Sequence, residues 1–264
     1  MTSPSLPRGE PYLRVLDFTA ATPAEDLALD EAVQRGLEAD TSPPTWRLWE
    51  ARTHAVVLGT GQEHALEVHL EAARAADIPI LRRHSGGGAV LIGPGVLNYS
   101  GCFYFDRLPG SQTIAGAMEA ALRPVLDALA LLGVHAQLAG LSDLAAPGAD
   151  GALRKLAGNS QARKRRSVLV HGTLLAAPDW ALMDRVLKHP SREPAYRAGR
   201  GHRAFLTSLQ DLGGPISLAA LSASLRRVLG QIDSDATDPL PSELATAAHL
   251  LGEKYGQNDW NFRR

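Results

Sequence analysis

Three rhythms of apolar and polar positions run along the chain. From Thr22 the rhythm is helical: Leu29, Val33 and Leu37 recur every four residues and put one apolar face on a helix. Thr22 and Glu25 have capping-box spacing, and Pro23 sits at the first helical position. Pro43-Pro44 breaks the pattern. Short apolar runs at Trp46–Trp49 and Ala55–Leu58 then predict two strands, joined through Ala51–His54 in hairpin fashion. A helix is expected over Leu66–Ala76, and a brief strand at Ile80–Leu81 leads into LRRHSGGGAV. Beyond it, Ala89–Ile92 and Leu97–Phe105 read as strands. The turn Gly93-Pro94-Gly95 between them predicts that they pair. Ile114, Met118, Leu122, Val125, Leu129 and Leu132 mark a long helix ended by Gly133, with Pro124 inside it either kinking it or beginning a new segment. Ala145–Gly151 reads as a loop, Leu153–Ala157 and Val168–Leu175 as strands, and Leu218, Leu221, Leu225 and Val228 as a helix. Strands with short connections, interrupted by helices, predict an α/β architecture of the α+β type. Its core would be a mixed, largely antiparallel central sheet flanked by helices. A single domain is expected over residues 1–264. It would begin with an extension and first strand over 1–20 and close with a helical portion over 214–264.

Composition narrows the class. The chain has 264 residues, 45% hydrophobic and 21% charged, within the range of soluble globular proteins. A net charge of −1 offers no global attraction to nucleic acid or to an anionic membrane. The apolar run Val125–Val134 is too short to span a bilayer, and the first fifteen residues contain no signal-peptide core. A cytoplasmic location is the expectation. One cysteine, Cys102, excludes an internal disulfide framework, and it reads as a small buried hydrophobe in an alternating strand.

Three stretches exceed structural need, each placing a polar residue beside glycine at a strand end. The first is Arg82-Arg83-His84-Ser85-Gly86-Gly87-Gly88-Ala89-Val90. Three successive glycines lose much backbone entropy on folding, while arginine offers a planar, permanently charged fork for an anion. A plain turn with solvated arginines is the simpler alternative. The loop is neither a Walker A sequence nor a dinucleotide fingerprint. The second is Lys155-Leu156-Ala157-Gly158-Asn159-Ser160-Gln161, where Lys155 is either a solvated strand lysine or a fixed cation facing developing negative charge. The third is Val170-His171-Gly172-Thr173, where His171 taken alone reads more readily as a packed histidine than as a base. Arg163–Arg166 reads as a solvated hairpin tip or as a docking patch for an acidic partner. Gly59 and Gly61 are equally consistent with a turn or a ligand contact.

In this order the three stretches resemble the lipoate–protein ligase A family, related in fold to biotin ligases and octanoyltransferases. RRHSGGGAV with Leu97-Asn98-Tyr99-Ser100 resembles the family's arginine-glycine loop and trailing strand, KLAGNSQ its lysine motif, and VHGTLL its histidine-glycine-threonine strand. Leu141-Ser142-Asp143-Leu144 resembles its asparagine-aspartate-leucine segment, with serine in place of asparagine. Asp26–Val33 and Tyr255–Phe262 are similar in character to the ends of the family's catalytic domain.

The resemblance implies a biotin/lipoate ligase-like fold and an enzyme that uses ATP and Mg²⁺ to activate lipoate as lipoyl-AMP. The lipoyl group would then pass to a lysine of an apo lipoyl-domain protein. It assigns Lys155 the catalytic role. It places Arg82, Arg83, Ser85, Gly86, Gly87, Gly88, Ala89, Asn98, Asp143, Gly158, Gln161, His171, Gly172 and Thr173 around ATP or the acyl-adenylate, with Asp143 also a metal contact. Relatives that transfer acyl groups through a thioester use a cysteine just before the lysine motif, and Ser142–Arg154 contains none. Some ligases carry a further small domain for which this chain has no room, so a separate accessory protein is expected. An octanoyl or lipoyl transferase acting from a carrier or adenylate, and a non-catalytic acyl binder, are the alternatives.

Overall fold

The computed structural model describes residues 13–263 apart from 149, 216 and 231–237. Most of the expected amino-terminal extension, one residue of the Ala145–Gly151 loop and Arg264 therefore lie outside the described residues. The strands are β1 (Arg14–Asp17), β2 (Thr45–Glu50), β3 (Ala55–Leu58), β4 (Ile80–Arg82), β5 (Val90–Ile92), β6 (Val96–Tyr104), β7 (Gln137–Ala139), β8 (Asp143–Pro147), β9 (Leu153–Arg163) and β10 (Ser167–Leu175). The helices are α1 (Pro23–Glu38), α2 (His64–Glu67), α3 (Leu70–Ala75), α4 (Ile114–Leu131), α5 (Trp180–Val186), α6 (His202–Phe205), α7 (Leu218–Val228), α8 (Pro241–Leu250) and α9 (Asn258–Asn261).

Seven strands form one sheet in the order β1-β2-β6-β10-β9-β8-β7. Among the described residues only β1 and β2 run parallel within it, so the expected mixed, largely antiparallel sheet is present. The period-2 pattern sorts its side chains. Val168 and Val170 of β10 join Trp46, Leu48 and Tyr99 in a core covered by α4 and α7. Leu169 and Cys102 point the other way, into a second core with α1 and α8. Helix α1 starts with the expected reciprocal cap. Glu25 N donates to Thr22 Oγ1 at 3.3 Å, and Thr22 N donates to Glu25 Oε2 at 2.8 Å. Helix α4 runs through Pro124, and α7 falls where the leucine spacing puts it.

Two expected pairings do not occur. β2 and β3 form no hairpin, and β5 and β6 do not pair; β3 and β5 instead join β4 in a separate three-stranded sheet, β4-β3-β5. Alternation reveals which side chains share a face but not which strand lies alongside. Ala51–His54 and Gly93-Pro94-Gly95 hand the chain from one sheet to the other. Gly95 (φ +81°) is suited to this: its N–H donates to Glu50 Oε1 at 2.7 Å, and a Cβ there would lie 2.1 Å from the Ala177 carbonyl oxygen. The helix expected over 66–76 is broken into α2 and α3, because Val68 is extended and bridges Leu187. The first part of the Ala145–Gly151 loop is strand, since β8 pairs with β9 through Pro147.

Candidate functional site

A cleft of about 310 Å³ opens between the two sheets. Its walls differ in chemistry by element. Leu27 of α1, Trp49 of β2, Val57 of β3, and Val90 and Ile92 of β5 are apolar. Asp143, Lys155, Asn159, Arg192 and Arg197 contribute charge and hydrogen-bonding groups from β8, β9 and the segment after α5. An apolar slot joined to a few fixed polar groups suits a ligand with an apolar tail and an anionic head.

The two arginines before the glycines have different fates. Arg82 is fully buried and turned away from the cleft. Its guanidinium donates to the carbonyls of Gly59 (2.9 Å), Gln62 (2.7 Å) and Trp260 (3.2 Å), and to that of Arg263 (2.9 Å). It ties the carboxy-terminal segment to the scaffold beneath the loop and does not line the cleft, where a ligand contact was expected. Arg83 does line the cleft. Its fork donates to the carbonyls of Gly86 at 2.5 Å, Gly88 at 2.8 Å and Val57 at 3.2 Å, curling the loop around the guanidinium. Burial pulls its pKa down to about 10. Gly87 (φ +85°) lies against it: a Cβ there would sit 2.9 Å from Arg83 Nη2. Gly87, Gly88 and Ala89 line the cleft, whereas Ser85 and Gly86 stand behind it.

Ser85 links the loop to the large sheet. Its Oγ accepts from Arg83 Nε at 3.1 Å and lies 2.5 Å from His171 Nε2. The imidazole thus lies between Ser85 Oγ on its Nε2 side and Asp30 on its Nδ1 side. Burial pushes the His171 pKa down against the pull of Asp30. Asp30 Oδ2 is 3.9 Å from Nδ1, too far for a hydrogen bond, and has no hydrogen-bond partner among the described residues; Oδ1 accepts from Arg47 and Ser100. The order Ser85–His171–Asp30 mimics a hydrolase triad. However, Ser85 is buried, so the chain orients the loop rather than supplying a nucleophile.

Lys155 Nζ lies 2.9 Å from Asp143 Oδ1, at the rim of the cleft and one-quarter exposed. Its side chain passes over Gly158, where a Cβ would meet Nζ at 2.6 Å. Gly172 is equally constrained, because a Cβ would fall 1.9 Å from Asn159 Oδ1, which accepts from Tyr99 Oη at 2.5 Å. Asn98, Gly158, His171, Gly172 and Thr173 all line the cleft. Gln161 does not: its amide donates to the Ile114 carbonyl at 2.8 Å, at the start of α4. Sequence reasoning missed Asp30, Arg197 and Tyr196. Asp26 and Asp30, four apart on a buried helix, and Arg47 inside an apolar strand were the available signal for the first. The arginine-rich run from Arg192 to Arg203 was the signal for the others.

Among the described residues no cluster of three or more potential ligands could hold a metal ion. Asp143 offers its Oδ1 to Lys155 and its Oδ2 to Tyr196, so both oxygens already accept from a donor and a cation there would sit beside the Lys155 ammonium. The expected Asp143 metal contact does not fit this donor set.

His84, behind the loop, makes stability pH-dependent. Burial presses its pKa from an ordinary 6.5 to about 3, against the attraction of Glu31. Neutral His84 contacts Gln34 Oε1 at 3.1 Å and Tyr255 Oη at 3.2 Å. The unfolded chain therefore binds a proton that the folded chain refuses between pH 6.5 and 3, so stability rises with pH across that window. The urea midpoint is expected to fall between pH 7 and pH 5, and His84→Gln to flatten that slope. An equal slope in both proteins would contradict the assignment.

The family model described as the lipoyl protein ligase A/B catalytic domain matches residues 22–230. The chain belongs to that family. It is 31% identical to the octanoyltransferase LipM of Symbiobacterium thermophilum, over 95% of this chain and 98% of that protein. It is 26% identical to lipoate–protein ligase 1 of Staphylococcus aureus, over 92% of this chain and 70% of that one. A solved chain from the bi-partite lipoate protein ligase of Thermoplasma acidophilum, studied with its E2 lipoyl domain, superposes with a TM-score of 0.78 at 25% identity, covering 95% of each chain. A lipoate-protein ligase A bound with ATP gives the same TM-score and identity, over 96% of this chain and 99% of that one. Among the described residues no helix is long and apolar enough to cross a membrane.

Proposed function

We propose that the protein is a lipoate–protein ligase. It would use ATP as a substrate to convert lipoate to lipoyl-AMP, then pass the lipoyl group to a lysine of an apo lipoyl domain. The carrying observation is a cleft with a cation and no thiol. Lys155 stands at its rim, while Cys102 is buried in the second core, where burial raises its thiol pKa well above the ordinary value. A thiol buried there, away from the cleft lining, is not placed to take an acyl group. Without a thioester relay, the acyl carbon needs another activated form. In the first step the lipoate carboxylate oxygen bonds to the α-phosphorus of ATP, and the bond to pyrophosphate breaks. Lys155 opposes the growing negative charge, and the curled glycine loop brings backbone close to the ligand. The neutral amine of the acceptor lysine then bonds to the carbonyl carbon, AMP leaves with the bonding pair, and the amine proton passes to solvent. Similarity to an ATP-bound lipoate-protein ligase A supports the first step. Similarity to a bi-partite ligase studied with its E2 lipoyl domain supports both the acceptor and a separate accessory protein.

The 31% identity to octanoyltransferase LipM, over nearly the whole of both chains, favours a second reading, octanoyl transfer from an acyl carrier. Mass spectrometry of an apo lipoyl domain separates the two. The protein is incubated with ATP, Mg²⁺ and lipoate, with and without an accessory protein, or with octanoyl carrier alone. Lipoylation that requires ATP and releases AMP supports the ligase; modification from the carrier without ATP overturns it. Cys102→Ala is expected to keep activity within about twofold, at a stability cost of about 1 kcal/mol. An acyl thioester trapped on Cys102 would reverse that expectation.

A further inference from the structure

Asp143 is shared. One oxygen holds Lys155 at 2.9 Å, and the other accepts from the Tyr196 hydroxyl, also at 2.9 Å. Tyr196 lies in the short turn Ala195–Arg197, far from both residues in sequence. Several contacts fix it. Its ring packs on Phe205 with centroids 5.0 Å apart, and its carbonyl accepts from Arg200 Nη2 at 2.7 Å. Arg200 Nη1 in turn donates to the Leu153 carbonyl at 3.1 Å, and Thr207 N donates to the Lys155 carbonyl at 2.9 Å. The turn is thus fastened to β9, the strand that carries Lys155, and the phenol has a set position relative to the ammonium.

We propose that Tyr196 is a positioning residue for Lys155: by donating to Asp143 it weakens and orients the carboxylate's hold, so that the ammonium can turn to a substrate oxygen. This rests on the role given to Lys155 above. An ammonium fully claimed by a buried carboxylate has little charge left for a transition state. A second donor on the same carboxylate draws charge toward the phenol and lowers the cost of that change of partner. Tyr196 is suited to donate. Burial, and next to it the Asp143 charge, raise its pKa, so the phenol keeps its proton. With Gly158 beneath, the lysine chain has no Cβ to cross as it swings.

The test is Tyr196→Phe, which keeps the ring on Phe205 and removes only the donor, alone and combined with Asp143→Asn. In lipoate-dependent ATP–pyrophosphate exchange the single variant is expected to lower kcat about tenfold, with KM for ATP and lipoate unchanged. In the Asp143→Asn background it should have little further effect, because the pair acts through Asp143. Acetylation of Lys155 by acetic anhydride, followed by mass spectrometry, reads the same coupling without turnover. It should slow in Tyr196→Phe and be equal in Asp143→Asn and the double variant. Wild-type kcat with wild-type acetylation in Tyr196→Phe overturns the proposal, and so does an equal loss with and without Asp143. Lys155→Ala is run alongside: exchange that survives it removes the lysine's role itself, a different failure. If the wild-type protein shows no exchange, the acetylation comparison alone decides.

Discussion

Lys155→Ala is expected to cut lipoate-dependent ATP–pyrophosphate exchange by more than ~100-fold while the protein stays folded. A fixed donor aimed at charge that grows in the transition state contributes about 3 kcal/mol, which corresponds to that factor. Lys155 meets the structural requirements for the role. It is anchored on β9, only one-quarter exposed, and held 2.9 Å from Asp143 at the cleft rim. The fold should survive, because Asp143 keeps the Tyr196 hydroxyl on its other oxygen and faces the cleft. Steady-state exchange, with circular dichroism and a thermal melt as controls, checks both halves. Exchange within a few-fold of wild type would remove Lys155 from the mechanism. Loss of activity together with loss of the melt would make it structural.

Arg47→Met is expected to produce the largest loss of stability, about 3–5 kcal/mol, because it strands two buried carboxylates. Arg47 is almost fully buried in β2. It holds Asp26 through a short contact and Asp30 at 2.8 Å, and it donates to the backbone carbonyls of Phe18 at 2.9 Å and Asp26 at 2.9 Å. One planar fork serves all of these acceptors, so Arg47→Lys should fail almost as badly. The cost should also depend on pH with a defined sign. Unpaired buried carboxylates have raised pKa values in the folded state, so the folded variant binds more protons than the unfolded chain. Its deficit relative to wild type should therefore narrow as the pH falls toward about 4. Urea unfolding of both proteins at neutral and acid pH measures this. An equal deficit at both would show that the carboxylates are not the source. Asp30 also stands behind His171 and Ser85, so the surviving folded fraction should have a loosened glycine loop.

Much of the local structure was legible in the chain. The capping box of α1, the span of α7, the apolar face of α4 and the long strands β6 and β10 follow from spacing and turn residues, whereas the spacing leaves open whether α4 continues through Pro124. The glycine loop and the lysine and His171-Gly172-Thr173 motifs stood out because polar residues sit beside glycines there, although the last two lie inside β9 and β10 rather than at the expected strand ends; Asp143 stood out only through the family resemblance. The structure brings most of them to one cleft.

Strand partners and the duties of individual charged side chains were settled only by the tertiary structure. Period-2 alternation is the same whether a strand pairs with its sequence neighbour or with one from another sheet. For that reason Ala55–Leu58 was expected beside Trp46–Trp49 and Ala89–Ile92 beside Leu97–Phe105, yet β3 and β5 build a second sheet with β4. Arg82 and Arg83 are the same residue type in adjacent positions, and nothing in the sequence ranks them. Neighbouring strand side chains point to opposite faces. One guanidinium therefore meets the carbonyls of the carboxy-terminal segment, and the other meets those of the glycine loop. The partnership of Lys155, Asp143 and Tyr196 joins three distant parts of the chain. It exists only once β8, β9 and the Ala195–Arg197 turn are packed, because hydrogen bonds reach about 3 Å and sequence separation says nothing about distances that small.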